Sequence, residues 1–358
     1  MNALTVIMLI FSLLGALDRI LGGRMGLAIE FEKGFNMLGT LCLSMIGMIV
    51  ISPLIADLLA PLLDVMYELL HIDPSVIPAS LFANDMGGAP LAADVARDET
   101  LGGFNGLVVA SMMGALVSFT IPFALGTVKK EHHRQVLLGL LCGVTTIPVG
   151  CFIAGLIAGI SFPVLILDLL PLILFSAIIA LGLVFIPNVC VKIFGVLGVI
   201  IKVLITAGLA LSIFRYLTGI ELVKGLGTLE EGAAICLNIC VILSGAFVVM
   251  KLVTKLLAKP FEVLGKRLGI EKDSTAGLVS TLVTSAATFE MMNGMDKKGI
   301  VLNSAFAVSA AFVFGDHLAF TLAYDSGYIL PVIVGKLTSG VCAIVVAMVV
   351  CKKESKDL

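Results

Sequence analysis

The chain reads as an all-α polytopic membrane protein, with about nine transmembrane helices plus two re-entrant hairpins in an inverted repeat. Three observations predict this. Hydrophobic residues make up 59% of the 358 residues and charged ones 13%, against about 25% charged in ordinary soluble domains. Several apolar windows exceed the roughly 20 residues that span a bilayer, and the mean hydropathy is +1.14. Two shorter pieces are broken and polar at their centres, and they resemble each other in order and spacing.

The long segments run near 3–21, 36–56, 103–125, 136–158, 163–186, 192–217, 233–256, 300–323 and 328–350. All are read as helices, because a helix satisfies its own backbone hydrogen bonds in lipid. The first 20 residues lack a basic n-region and a small-residue cleavage site, so they read as a retained span. The short pieces, 76–94 and 275–294, each follow an amphipathic stretch, "PLLDVMYELLHID" and "PFEVLGKRLGIEK". If neither piece crosses, eighteen of the 23 Lys and Arg fall on one face and three on the other. If both cross once, the split is eleven to ten and the positive-inside rule is lost. The expectation is therefore an N-terminus outside and a C-terminus in the cytoplasm, with Asp73 and Asp325 outside.

"SLFANDMGGAPLAAD" from Ser80 parallels "STLVTSAATFEMMNG" from Ser280, and Asn105 and Ser111 recur as Asn303 and Ser309. Five spans separate the two copies, which inverts the second relative to the first, a frequent transporter architecture. The expected organisation is one integral membrane domain. A first repeat covers 36–158 with hairpin 76–94, and linking spans cover 159–232. A second repeat covers 233–350 with hairpin 275–294, and 351–358 form a cytoplasmic tail.

Ionisable groups at membrane depth are functional candidates by default. Asp85 lies at the tip of the first hairpin beside Asn84, and Asp316 and His317 lie in the eighth span. Two carboxylates from equivalent halves, flanked by Phe82, Phe314 and Phe320, suit an organic cation through charge pairing and cation–π attraction. Asn84, Thr284 and Ser285 can hydrogen-bond a hydroxyl or amine, and Glu290 adds an acid in the second hairpin. The substrate-binding candidates are thus Asp85, Asn84, Asp316, His317, Thr284, Ser285, Glu290, Phe82 and Phe314. Plainer roles stand beside these. Asp85 would cap the turn that follows, Asp168 would pair with Lys202 in helix packing, Lys336 would snorkel or neutralise a carboxylate, and Glu290 would sit at the hairpin mouth.

The eight cysteines form no C-x-x-C pair and read as small packing residues, so no metal or cofactor is expected. The net charge of −2 argues against a nucleic-acid partner. H-E-x-x-H, G-x-S-x-G and P-loop signatures are absent, which argues against an enzyme. The residues alone support a carrier of a small, polar, cationic solute, and homo-oligomerisation is compatible with that.

"EKGFNMLGTLCLSMIGM", "ANDMGGAPLA", "SMMGALVSFTIPFALG", "TIPVGC" and "NSAFAVSAAFVFGDHLAF" closely resemble the EutH-type permeases of ethanolamine-utilisation systems, from about residue 10 to 350. The resemblance implies uptake of ethanolamine, a small alkylamine charged at neutral pH, across the bacterial cytoplasmic membrane. A channel-like facilitator of ethanolamine, or a carrier of another small organic cation, is the alternative. The chain departs from the family pattern at Thr284 and Ser285, where an Asn pair is expected, and at Glu290, where no acid is.

Overall fold

The structure is a computed structural model that describes residues 3–354, and the described residues form helices and connecting turns without strands. Residues 355–358 of the expected tail lie outside the described residues.

In chain order, α1 is Ala3–Ile20 and α2 is Leu27–Leu70, the latter carrying a π turn at Cys42–Ile46. Two short helices follow, α3 (Val76–Leu81) and α4 (Gly88–Val95). The long helices α5 (Glu99–Thr127), α6 (Lys130–Ile157), α7 (Phe162–Phe185), α8 (Pro187–Thr218) and α9 (Leu229–Leu268) come next. A second short pair is α10 (Lys272–Thr281) and α11 (Ser285–Met291). The chain ends with α12 (Lys297–Ala310), α13 (Asp316–Tyr324) and α14 (Ile329–Glu354).

Seven of the described helices are long and apolar enough to cross a membrane: α2, α5, α6, α7, α8, α9 and the segment containing α14. The expected count of nine differs at two places. The first expected span is the 18-residue α1. The 300–323 segment is not one helix: it stops at Ala310, and α13 begins only at Asp316. Hydropathy reads straight across this gap because Ala311–Phe314 are apolar. The backbone nevertheless turns there, with Phe312 at φ 61°, a left-handed value rare for a bulky residue.

Two helices form the centre. In α5 every residue from Phe104 to Ser118 is buried, and in α12 every residue from Gly299 to Ala310 is buried. Such helices carry no polar outer face. They are built instead of small and apolar residues, with Asn and Ser at a few positions. α12 packs on α6 and α14, and α5 packs on α3, α4 and α12. Leu, Ile and Val along the outer faces of α1, α2, α7 and α8 stay exposed, a surface suited to lipid.

The central helices begin alike. Asp98 accepts a hydrogen bond from the Leu101 N–H at the start of α5, and Asp296 accepts one from the Gly299 N–H at the start of α12. Both are aspartate N-caps, which satisfy N–H groups that the helix leaves open. The long α9 begins with a capping box of Thr228 and Glu231.

Each short-helix pair has its two ends tied together. Asp73, just before α3, accepts hydrogen bonds from the N–H groups of Arg97 and Asp98, just after α4, at 2.9 and 3.0 Å. Asp296, just after α11, accepts from Glu271 N–H and Ser274 Oγ at the start of α10, at 3.2 and 2.6 Å. Asp73 and Asp296 therefore act as clasps across the mouths of the two pairs.

Candidate functional site: a charged cluster between broken helices

The site forms where chain breaks meet. Between α3 and α4 the backbone leaves the helical path at Phe82, makes a short 3-10 turn over Asn84–Met86 and re-enters through Gly87 at φ 95°. Ser118 Oγ receives the freed Ala83 N–H. Gly114 of α5 allows this break to approach, since a Cβ there would lie 1.9 Å from the Phe82 carbonyl oxygen. The other half has a matching crossing. The Phe312 and Phe314 N–H groups donate to the carbonyls of Thr281 and Leu282 at 3.1 and 2.9 Å. Gly315 gives the necessary room, because a Cβ there would meet the Val283 carbonyl at 2.1 Å.

The 84–86 turn packs against α13, which brings Asp85 to His317. His317 Nε2 lies 3.8 Å from Asp85 Oδ1, an ion-pair separation too long for a direct hydrogen bond. On its other side His317 Nδ1 lies 3.1 Å from the Lys336 ammonium of α14. Lys336 is wholly buried, and it also donates to the Ser111 carbonyl of α5 at 2.5 Å. An ammonium has only donors. With Lys336 as an ammonium, His317 Nδ1 accepts and the ring proton sits on Nε2, facing Asp85. The Phe312 ring lies 5.0 Å from the imidazole.

Asp316 is the first residue of α13, where the positive end of the helix favours an anion. It lies within electrostatic range of Asp85, and it has no ion pair or side-chain hydrogen bond among the described residues. Asn84 and Ser285, from the two breaks, are fully buried. Neither Asn84 amide atom nor Ser285 Oγ finds a hydrogen-bond partner among the described residues.

The structure thus brings together Asp85, Asn84, Asp316 and His317. Thr284 and Ser285 lie at the second break, with Thr284 half-buried. Glu290 is exposed on α11 and does not enter the cluster. The Phe82 side chain packs among Met48, Leu91 and Ile205, and Phe314 packs against the clusters around Leu302 and Leu318. Phe320 stacks on Tyr324 at 5.3 Å. The aromatic ring at the imidazole is therefore Phe312, which the sequence does not single out because the left-handed turn at this residue has no signature in an apolar run. Lys336, expected to snorkel or neutralise a carboxylate, also contacts His317. The expected Asp168–Lys202 pair does not form. Lys202 is exposed on α8, and Asp168 instead accepts a hydrogen bond from Asn105 Nδ2 at 3.2 Å. Among the described residues no group of three or more His, Cys, Asp or Glu is placed to hold a metal ion.

A family model described as "Ethanolamine utilisation protein, EutH" matches residues 1–350. The chain belongs to this family. It is 42% identical over 350 residues to a protein named probable ethanolamine permease EutH from Listeria monocytogenes, covering 98% of this chain and 94% of that one. It is 38% identical over 386 residues to the protein of the same name from Escherichia coli, covering 97% and 95%. The Salmonella typhimurium protein of that name is 37% identical with the same coverage. No solved structure matches the chain.

Proposed function

We propose that the chain is a transporter that takes up ethanolamine, in its protonated form, across the bacterial cytoplasmic membrane, holding it at Asp85 and Asp316. The observation that carries this is a charge count. Asp85 faces His317 and lies within range of Lys336, while Asp316 has no partner of its own. With both carboxylates ionised, the ammonium charged and the imidazole neutral, the cluster carries one net negative charge. One monovalent cation balances it. Asn84 and Ser285, buried and unpartnered, supply acceptors and donors of the kind a hydroxyl and an ammonium require. The names of the relatives support ethanolamine as that cation.

In this reading the α3–α4 and α10–α11 pairs are re-entrant hairpins of an inverted repeat, the N-terminus lies outside and the C-terminus in the cytoplasm. Several features support it. Asp98 and Asp296 cap equivalent helices, and Asn105 and Asn303 follow them at equal distance. The clasps at Asp73 and Asp296 join the two ends of each hairpin on one side. Alternating access then amounts to rocking one hairpin against the central helices around a fixed site.

The test is uptake of labelled ethanolamine into vesicles containing the purified protein. Saturable uptake with counterflow, inhibited by other small primary ammonium ions, is the expected result. Uptake no faster than in protein-free vesicles refutes the reading. Saturable uptake without counterflow points to a channel-like facilitator instead.

A further inference from the structure

A second buried polar cluster lies at the other end of α3. Ser75, Asn105 and Asp168 are all buried, with Asp73 beside them. Asn105 Nδ2 donates to Ser75 Oγ at 2.9 Å and to Asp168 Oδ1 at 3.2 Å. Ser75 Oγ and N–H both donate to Asp73 Oδ1. With Oδ2 taking the Arg97 and Asp98 N–H groups, the Asp73 carboxylate is satisfied at both oxygens. Asp168 is not. Its Oδ2 is buried without a partner, and so is the side-chain amide oxygen of Asn105, Oδ1. The titratable groups facing Asp168 are Asp73 and Asp98 from the loops flanking α3 and α5, and Cys151 from α6. Among the described residues none of its neighbours is a cation in ion-pair contact.

A carboxylate in the middle of an apolar helix cannot keep its charge uncompensated. A hard metal cation takes about six oxygen ligands, whereas two oxygens of this cluster, Asp168 Oδ2 and Asn105 Oδ1, are buried without a partner. Two is the number a single proton needs, one oxygen to carry it and one to accept the resulting O–H.

We propose that Asp168 is the proton site of this transporter, carrying a proton on Oδ2 toward Asn105 Oδ1 while ethanolammonium occupies Asp85 and Asp316. The proposal rests on the transport reading above and adds the coupling ion to it. The two sites are distinct, so proton and substrate are held at once and move in the same direction. The six-residue α3 links them. Ser75 precedes it and Asp85 follows it, and six helical residues span roughly 9 Å. Losing the proton would leave Asp168 charged and draw the Asn105 amide and Ser75 toward it, which pulls on the hairpin that presents Asp85. Each cycle binds one proton from the outer side at Asp168 and releases it to the cytoplasm.

The experiment imposes an acidic exterior on vesicles that contain either wild type or Asp168→Asn. Passive permeation of the free base drives ethanolamine toward the acidic side, so accumulation inside has the opposite sign and is diagnostic. Wild type should accumulate ethanolamine against its gradient. Asp168→Asn, which keeps the shape and hydrogen bonds but cannot titrate, should retain counterflow and lose the accumulation. Accumulation by the variant equal to wild type overturns the proposal. So does accumulation driven by a sodium gradient, or by an acidic interior beyond the passive level. Ethanolamine uptake by wild type no faster than in protein-free vesicles would instead refute the transport reading. Infrared spectroscopy of wild type serves as a second measurement that needs no folded variant. A protonated-carboxyl C=O band at neutral pH is expected, and its absence overturns the assignment. Where Asp168→Asn folds, that band should be missing from it.

Discussion

At the scale of single residues, the proposed site gives Lys336 a part in specificity beside its structural contacts. It fixes the His317 tautomer and offsets one carboxylate. Replacing it with glutamine removes the positive charge while leaving an amide able to donate to Nδ1. The cluster then carries two net negative charges and should favour a dication. In Lys336→Gln, competition by doubly protonated ethylenediamine relative to ethanolamine should rise by about tenfold, equivalent to ~1.4 kcal/mol. An unchanged ratio in a folded variant would place Lys336 outside the binding field. The carboxylates have the complementary role. Removing one partner of a buried charge pair costs about 2–5 kcal/mol, so Asp316→Asn or Asp85→Asn should weaken ethanolamine transport by roughly thirtyfold or more. Normal transport by both would move the site elsewhere. Asp85, Asp316 and His317 were legible in the sequence because ionisable groups stand out in an apolar span. Phe312 was not, since its importance comes from a left-handed backbone angle and a 5.0 Å ring contact that only the folded chain creates.

At the scale of elements, the two aspartate N-caps should differ in weight. Asp98 Oδ1 accepts from the Leu101 N–H. Asp296 accepts from Gly299 N–H, Glu271 N–H and Ser274 Oγ, joining α12 to α10. Loss of an N-cap costs about 0.5–2 kcal/mol. Asp98→Ala should therefore destabilise by about 1 kcal/mol. Asp296→Ala should cost more, because Ser274 Oγ and the Glu271 N–H lose their partner as well. The order of thermal unfolding midpoints in detergent checks this, and equal midpoints would show that the contacts of Asp296 beyond its cap hold nothing extra. The helical elements themselves were mostly legible, because runs of Leu, Ile and Val of spanning length have one structural solution in lipid. The break at 311–315 was not. Its residues are as apolar as a helix interior, and what opens it is long-range: the Thr281 and Leu282 carbonyls take the Phe312 and Phe314 N–H groups. The π stretches of α5, Asn105–Gly114 and Leu116–Thr120, are hidden as well, since their residues are as apolar as those of any buried helix.

At the scale of the whole molecule, the contacts between loops bear on how the chain lies in the membrane. The Tyr328 hydroxyl, beside exposed Asp325, donates to the Thr100 carbonyl at 2.8 Å. The Lys129 N–H donates to Asn293 Oδ1 at 3.0 Å, next to exposed Lys297. If each hairpin crossed the bilayer once, Thr100 and Tyr328 would belong to opposite faces, and so would Lys129 and Asn293. A bilayer core of about 30 Å cannot be bridged by one hydrogen bond. With neither hairpin crossing, each contact joins two loops of the same face, and that face division is also the one that gathers the basic residues. Single cysteines at exposed positions test this directly. Cysteines replacing Glu99 and Asp325 should react with an impermeant maleimide added outside intact cells. Those replacing Lys130 and Lys297 should react only after the membrane is opened. Labelling of Glu99 and Lys297 positions from the same side would break the inverted repeat, and with it the symmetry that places Asp85 and Asp316 in equivalent halves. The charge count at the site would survive such a result, because it depends on the contacts among Asp85, His317 and Lys336 and not on which face they open to.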